Sequence, residues 1–325
     1  MKIPYTRRRR GRILDAVSII PLVLCLMAAT ACLARGQGPP PATPWAIGPG
    51  FGDCKHFSDG LAPVMISGMW GFIDTSGNVV IEPRFDSAES FNEGRASVVI
   101  DGMWGFIDKT GSLVIDPVYF SAGNFSEGYA WVATGTDRVY IDPDGNRAFE
   151  PREFYWGGDM SEGLISANLG EFTGYVNRDL EIVIEPRFGF AGNFSEGLAA
   201  VSIDGLWGFI EKTGAFVIEP TYIDAGDFSE GCAPVRVPVM TGEEDTSLWG
   251  YVDKDGVMII EPVFDWATSF SNGLAAVHTD DGWGYIDRSG TMVIPPQFIQ
   301  AGPFADGLAP VCTDEGCGFI GRPGE

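Results

Sequence analysis

One phrase limits the fold of this chain more than any other feature. "FSEGLAAVSIDGLWGFIEKTGAFVIEP", residues 194–220, returns in altered form along most of its 325 residues. The copies open at Phe57, Phe91, Phe125, Met160, Phe194, Phe228, Phe270 and Phe304, at spacings of 34, 34, 35, 34, 34, 42 and 34 residues. The long interval carries an eight-residue insertion within "VPVMTGEEDTSLWG", residues 237–250. A fixed period in this range marks a repeat architecture.

Each copy holds three short apolar stretches separated by turn residues. In the quoted copy they are "LAAVSI", "WGFIE" and "FVIEP", divided by Asp-Gly and Thr-Gly. Val, Ile and aromatic residues broken by such dipeptides read as antiparallel strands joined by tight turns. A proline ends the third stretch in seven places (Pro83, Pro117, Pro151, Pro186, Pro220, Pro262, Pro296) and is expected to close that strand, since it has no N–H to donate. The unit is therefore read as a three-stranded meander. Alone it cannot fold: ordering it costs more conformational entropy than its few large apolar side chains return on burial. Each copy must be the packing surface of the next.

The ends are out of phase with the units. "WAIGPGF", residues 45–51, matches the third-strand phrase "VVIEPRF", and the chain closes with only the first two strands, "FADGLAPVCTDEGCGFI". Seven full units and two complementary fragments make eight. The fold is expected to be all-β, with the first expectation a curved, solenoid-like open array of about 34-residue units. The alternative is a closed propeller-like ring of eight, its termini paired.

The pair Trp-Gly recurs at Trp70-Gly71, Trp104-Gly105, Trp207-Gly208, Trp249-Gly250 and Trp283-Gly284. With "F-S-E-G-L-A" before it and "G-x-x-V-I-x-P" after it, the pattern resembles the bacterial WG repeat, also called the KWG repeat. The resemblance covers nearly all of residues 45–320. It implies an extended binding or scaffolding body and attaches no enzymatic activity to the motif. Three units depart from it: Arg138-Val139, Thr173-Gly174 and Cys317-Gly318 stand where Trp-Gly is expected.

The N-terminus is a separate object. "RRRRGR" is followed by an apolar run to Ala34, the layout of a secretory signal or a retained membrane anchor over residues 1–34. "ATAC" also places Cys32 where a lipoprotein carries its lipid. Residues 35–44 read as a Pro-rich linker, 45–320 as the repeat domain and 321–325 as a tail. Export to the periplasm, cell surface or medium is expected, with any membrane contact confined to this first segment.

Charge and motifs narrow the chemistry. Net charge is −23; residues 1–35 hold seven bases and one acid, so 14 bases and 43 acids remain, near −29. Such a body repels nucleic acid. The two histidines, His56 and His278, lack metal-ligand neighbours in sequence, and neither a phosphate-binding glycine loop nor a serine nucleophile elbow is present. No catalytic residue, cofactor or metal is expected. The acids before the turn glycines (Asp59, Glu93, Glu127, Glu162, Glu196, Glu230, Asp306) are expected to serve turn N–H groups and solubility, with weak calcium binding as the alternative. The motif tryptophans are expected to pack on the next unit rather than line a sugar-binding face, while Trp156 and Trp266 lie in loops open to a ligand. Cys312 and Cys317 face each other across a hairpin and are expected to form a disulfide.

The expected function is that of a non-enzymatic, exported scaffold in the cell envelope that binds a protein partner. Its specificity is expected at the insertion and at the departures near Arg138 and Thr173. Glycan or cell-wall binding is the alternative.

Overall fold

The computed structural model describes residues 45–135, 137–149, 156–241 and 244–324. The expected leader and linker, Cys32 included, lie outside the described residues, as do Pro151 and the side chain of Trp156. No helix among the described residues is long and apolar enough to cross a membrane.

Each unit is a four-stranded antiparallel sheet rather than the expected three-stranded meander. In the first, Asp53–Cys54, Leu61–Ile66, Met69–Asp74 and Val79–Phe85 pair in that order. The added strand has two residues, Asp53 opposite Met65 and Cys54 opposite Val64. Two residues are too few for an alternation to register.

The prolines do not end the last strand either, which runs two residues past Pro83 to Phe85. Trp70 pairs with Phe85 and Phe72 with Ile81, so residues 82–84 bulge from the ladder. Inside a bulge the missing N–H is not needed. The bulge also explains the motif glycine. A Cβ on Gly71 would stand 2.6 Å from the Ile81 carbonyl oxygen and 2.7 Å from Pro83 N; on Gly208 the matching distances are 2.5 Å and 2.7 Å. In the third unit Val139 holds the glycine's place, and the described part of the strand beside it, Arg147–Phe149, keeps the regular register with Phe149 opposite Tyr140.

The sheets close into a ring. The last one contains Gln300–Ala301, Leu308–Thr313 and Gly316–Gly321, and its fourth strand is Trp45–Phe51. Trp45 pairs with Ile320, Ile47 with Phe319 and Phe51 with Cys317. The core lies between neighbouring sheets: Trp70, Phe72, Ile81 and Phe85 pack on Phe91, Ala96, Val98 and Ile107 of the next unit. A like cluster joins Cys54, Phe57 and Val64 of the first sheet to Leu308 and Phe319 of the last. The fold is thus an eight-bladed β-propeller, and the open array is corrected in favour of the ring. Closure pairs the edge of Gly316–Gly321, which an open array would leave bare.

The acidic turns tie the blades together. In "N-E-G", residues 92–94, Glu93 and Gly94 both have positive φ, 51° and 74°, as a type I′ turn requires. Glutamate is poorly suited to that region, but its side chain supplies the reason: Glu93 Oε2 accepts the Gly128 N–H of the next blade at 2.9 Å. The same link runs from Asp59 to Gly94, Glu127 to Gly163, Glu162 to Gly197, Glu196 to Gly231 and Glu230 to Gly273. Asp306 of the last blade accepts from Gly60 of the first at 3.1 Å. In the seventh blade Asn272 holds the acid's place, and among the described residues it makes no such bond to the eighth. The second set of acids caps its own turns. Asp74 Oδ1 accepts the N–H groups of Ser76 and Asn78, both at 2.9 Å, and hydrogen bonding led by the Asn78 side chain lowers its pKa.

These turns define one face of the ring, the carboxylate face. The tight hairpins and the corners leading into each short strand lie at the other ends of the sheets. The corner N–H groups of Asp86 and Phe120 donate to Val99 and Ala133, close to the hairpins. That opposite side is the hairpin face.

Candidate functional site

The regular tryptophans belong to the blade junctions on the hairpin side. Trp70 and Trp249 are buried in the inter-blade clusters, and Trp207 and Trp283 pack against theirs half-buried. Each occupies space beside a corner. The Trp249 ring lies 5.3 Å from that of Trp266 in the next corner, and the Trp207 ring lies 5.2 Å from Phe190.

Two departures from the motif meet in one place. Arg138 replaces tryptophan with a guanidinium 3.8 Å above the Trp131 ring that donates to the Gly157 carbonyl at 2.8 Å. Thr173 replaces it with a side chain too small to fill the junction, although its strand keeps the regular pairing, Thr173 opposite Phe188. The result is a cavity of about 620 Å³ reaching from Arg138 of the third blade across the fourth to the sixth. Arg138, Ser166, Asn168, Thr173, Phe190, Asn193 and Asp227 line it, with the corner glycines Gly158, Gly189, Gly192 and Gly226.

Its floor is held from beneath. Tyr140 donates to the Gly158 carbonyl and Tyr175 to that of Gly192, each at 2.7 Å, and burial raises the pKa of both phenols. Asp227 lies exposed at the edge of the open space, and partial desolvation by the protein beside it raises its pKa. Asp159, beside the cavity, is likewise raised by burial; Trp131 donates to it, while its Oδ1 has no partner among the described residues. The cavity offers hydroxyls, amides, one carboxylate, one guanidinium and one aromatic face.

The chain matches the WG containing repeat family over residues 45–70, 70–104, 104–135, 174–207, 207–237, 249–282 and 283–317. It belongs to that family. WG-repeat matching passes over residues 136–173, the stretch that holds Arg138 and leads to Thr173. No curated protein matches the chain. Among solved structures it is similar to Sqt1 of Saccharomyces cerevisiae, at 11% identity and a TM-score of 0.52, covering 85% of this chain and 98% of that one. Hsv2p of Kluyveromyces lactis is also similar, at 11% identity and a TM-score of 0.47, covering 73% of this chain and 92% of that one. At such identity the likeness concerns the fold alone.

The insertion shares the cavity's face. It lengthens a hairpin instead of forming a loop: Cys232–Thr241 and Glu244–Asp253 pair from Cys232 opposite Asp253 to Thr241 opposite Glu244. Exposed apolar side chains line the corners of the same face. Phe120, Phe190, Trp266 and Ile299 are 65%, 54%, 49% and 57% exposed, which for residues of this size marks an unpartnered surface.

The third departure, Cys317, sits where the ring closes. Cys312 and Cys317 are joined by a disulfide across the last hairpin. The free Cys54 of the first blade has its sulfur within 4.8 Å of both. Burial, with the charge of Asp53 adding to it, pushes the Cys54 thiol up to about 12. A smaller cavity of about 230 Å³ adjoins it, lined in part by His56 and Gln300, and burial lowers the His56 pKa so that it is neutral near pH 7.

Proposed function

We propose that this WG-repeat propeller is a non-enzymatic, exported scaffold that holds a partner protein on its hairpin face. The observation that carries the reading is the row of exposed corner side chains, Phe120, Phe190, Trp266 and Ile299, on the face that also bears the lengthened hairpin. Exposed aromatics with apolar bodies are the residues that anchor protein interfaces. Acidic hairpins such as Asp280-Asp281 and Asp314-Glu315 border them, which favours a partner with basic residues around an apolar centre. The basic and apolar N-terminal segment supports export to the envelope of a bacterial cell, and the Cys312–Cys317 disulfide suits an oxidising compartment.

Capture from a detergent extract of the source cells' envelope, with the chain from residue 36 as bait, tests the reading. Wild type retains a discrete protein, and F120S/W266S, which changes only exposed side chains, loses it. Equal retention by both baits contradicts the reading.

A further inference from the structure

Among the described residues, the side chains of Ser166, Asn168, Thr173, Asn193 and Asp227 face one space with no hydrogen-bond partner in the protein. They come from three successive blades, so no single unit carries the arrangement. Phe190, about half exposed and backed by Trp207, forms an apolar wall to the same space.

We propose that this cavity is a binding site for a neutral saccharide. Three features select that chemistry. The volume, about 620 Å³, falls within the roughly 300–1,000 Å³ of small-ligand sites. Amide, hydroxyl and carboxylate groups that both donate and accept suit vicinal hydroxyls, each of which also donates and accepts. A backed aromatic ring matches the apolar face of a pyranose. Acidic sugars are disfavoured by a body near −29 and by the Asp227 carboxylate, while the Arg138 guanidinium in the same lining is already engaged by the Gly157 carbonyl and the Trp131 ring. The site arises where Thr173 stands in the place that tryptophan fills in five sister units. It is independent of the protein-binding corners, apart from Phe190, which belongs to both.

The test uses the whole exported chain and a panel of neutral oligosaccharides: gluco-, manno-, galacto- and N-acetylglucosamine oligomers. Saturation-transfer NMR finds binders, and calorimetry gives their affinity. At least one member binds wild type. Thr173→Trp, which fills the cavity with the residue its sister units already accept, abolishes that binding, and Asn193→Ala weakens it by about tenfold. Circular dichroism of both variants reports the intact fold. Absence of binding by every member overturns the proposal, and so does binding that survives Thr173→Trp in a folded protein. A peptide selected from a library that binds in a Thr173→Trp-sensitive way, with no saccharide doing so, makes the cavity a peptide site and also overturns it.

Discussion

Glu196 accepts the backbone N–H of Gly231, one blade on, at 2.9 Å, while Lys254 donates to its carbonyl and lies 3.1 Å from its carboxylate. Glu196 pays for that reach with a left-handed backbone, φ 54°. Two effects of similar size therefore oppose each other at one residue. Glu196→Ala loses the hydrogen bond and keeps the unfavourable φ, for a cost of about 1–2 kcal/mol. Glu196→Gly loses the same bond but relieves the backbone, so its cost is closer to zero. Urea denaturation of the pair reads the order directly.

The same contacts set an acid limit. Burial opposes ionisation of Glu162 and Glu196, but Lys212 and Gly197 on one, and Lys254 and Gly231 on the other, outweigh it and hold both carboxyls below the usual range. Hydrogen bonds within their turns lower Asp74, Asp108, Asp142 and Asp287 as well. A carboxyl with a depressed pKa in the folded state contributes stability that is full above its unfolded value, roughly 4, and is lost as pH falls through the folded value. Melting temperature is expected to hold steady from neutrality down to about pH 4.5 and to fall below it.

The motif glycine is a matter of clearance. Gly208→Ala would drive a methyl into the Ile218 carbonyl and Pro220 of the bulged strand, and it is expected to cost about 1–3 kcal/mol. Gly48→Ala, in the closing strand with nothing within 4 Å of the added carbon, is the control and should be near neutral. Chemical denaturation of the two variants checks the difference.

At the closing seam, the Cys54 thiol is buried and weakly acidic, so its alkylation at pH 8 should be slow until the protein unfolds. Cys312→Ser leaves Cys54 and Cys317 with sulfurs within 4.8 Å. Under mild oxidation that variant is expected to form a Cys54–Cys317 bond joining first and last blades, detected by non-reducing peptide mapping.

Much of this architecture was legible before any coordinates. The spacing of the units and the phase offset between residues 45–51 and 304–320 allow a ring, because complementary fragments complete each other when they pair, but an open array can begin at any phase. Energetics at the sequence level do not separate closure from an open array, and the open form was the first expectation. The two-residue strand escaped notice because Asp53–Cys54 is shorter than any period. Pro83 misled because its lost N–H reads as a strand end unless the bulge opposite Gly71 is seen. Arg138 and Thr173 stood out as departures, but Asn193 and Asp227 did not. They become partners only when three blades are brought together.

Regular copies build the ring, and in the proposal above Thr173 is the exception that leaves one junction open for a ligand. Thermal unfolding of Thr173→Trp beside wild type tests it without any ligand. If tryptophan belongs in that junction, the variant fills a cavity its fold already accommodates elsewhere and melts as high as wild type or a few degrees higher, about 2–4 °C for each kcal/mol gained. A melting temperature several degrees lower would mean that the fourth blade was never built to take tryptophan, and the claim would fail.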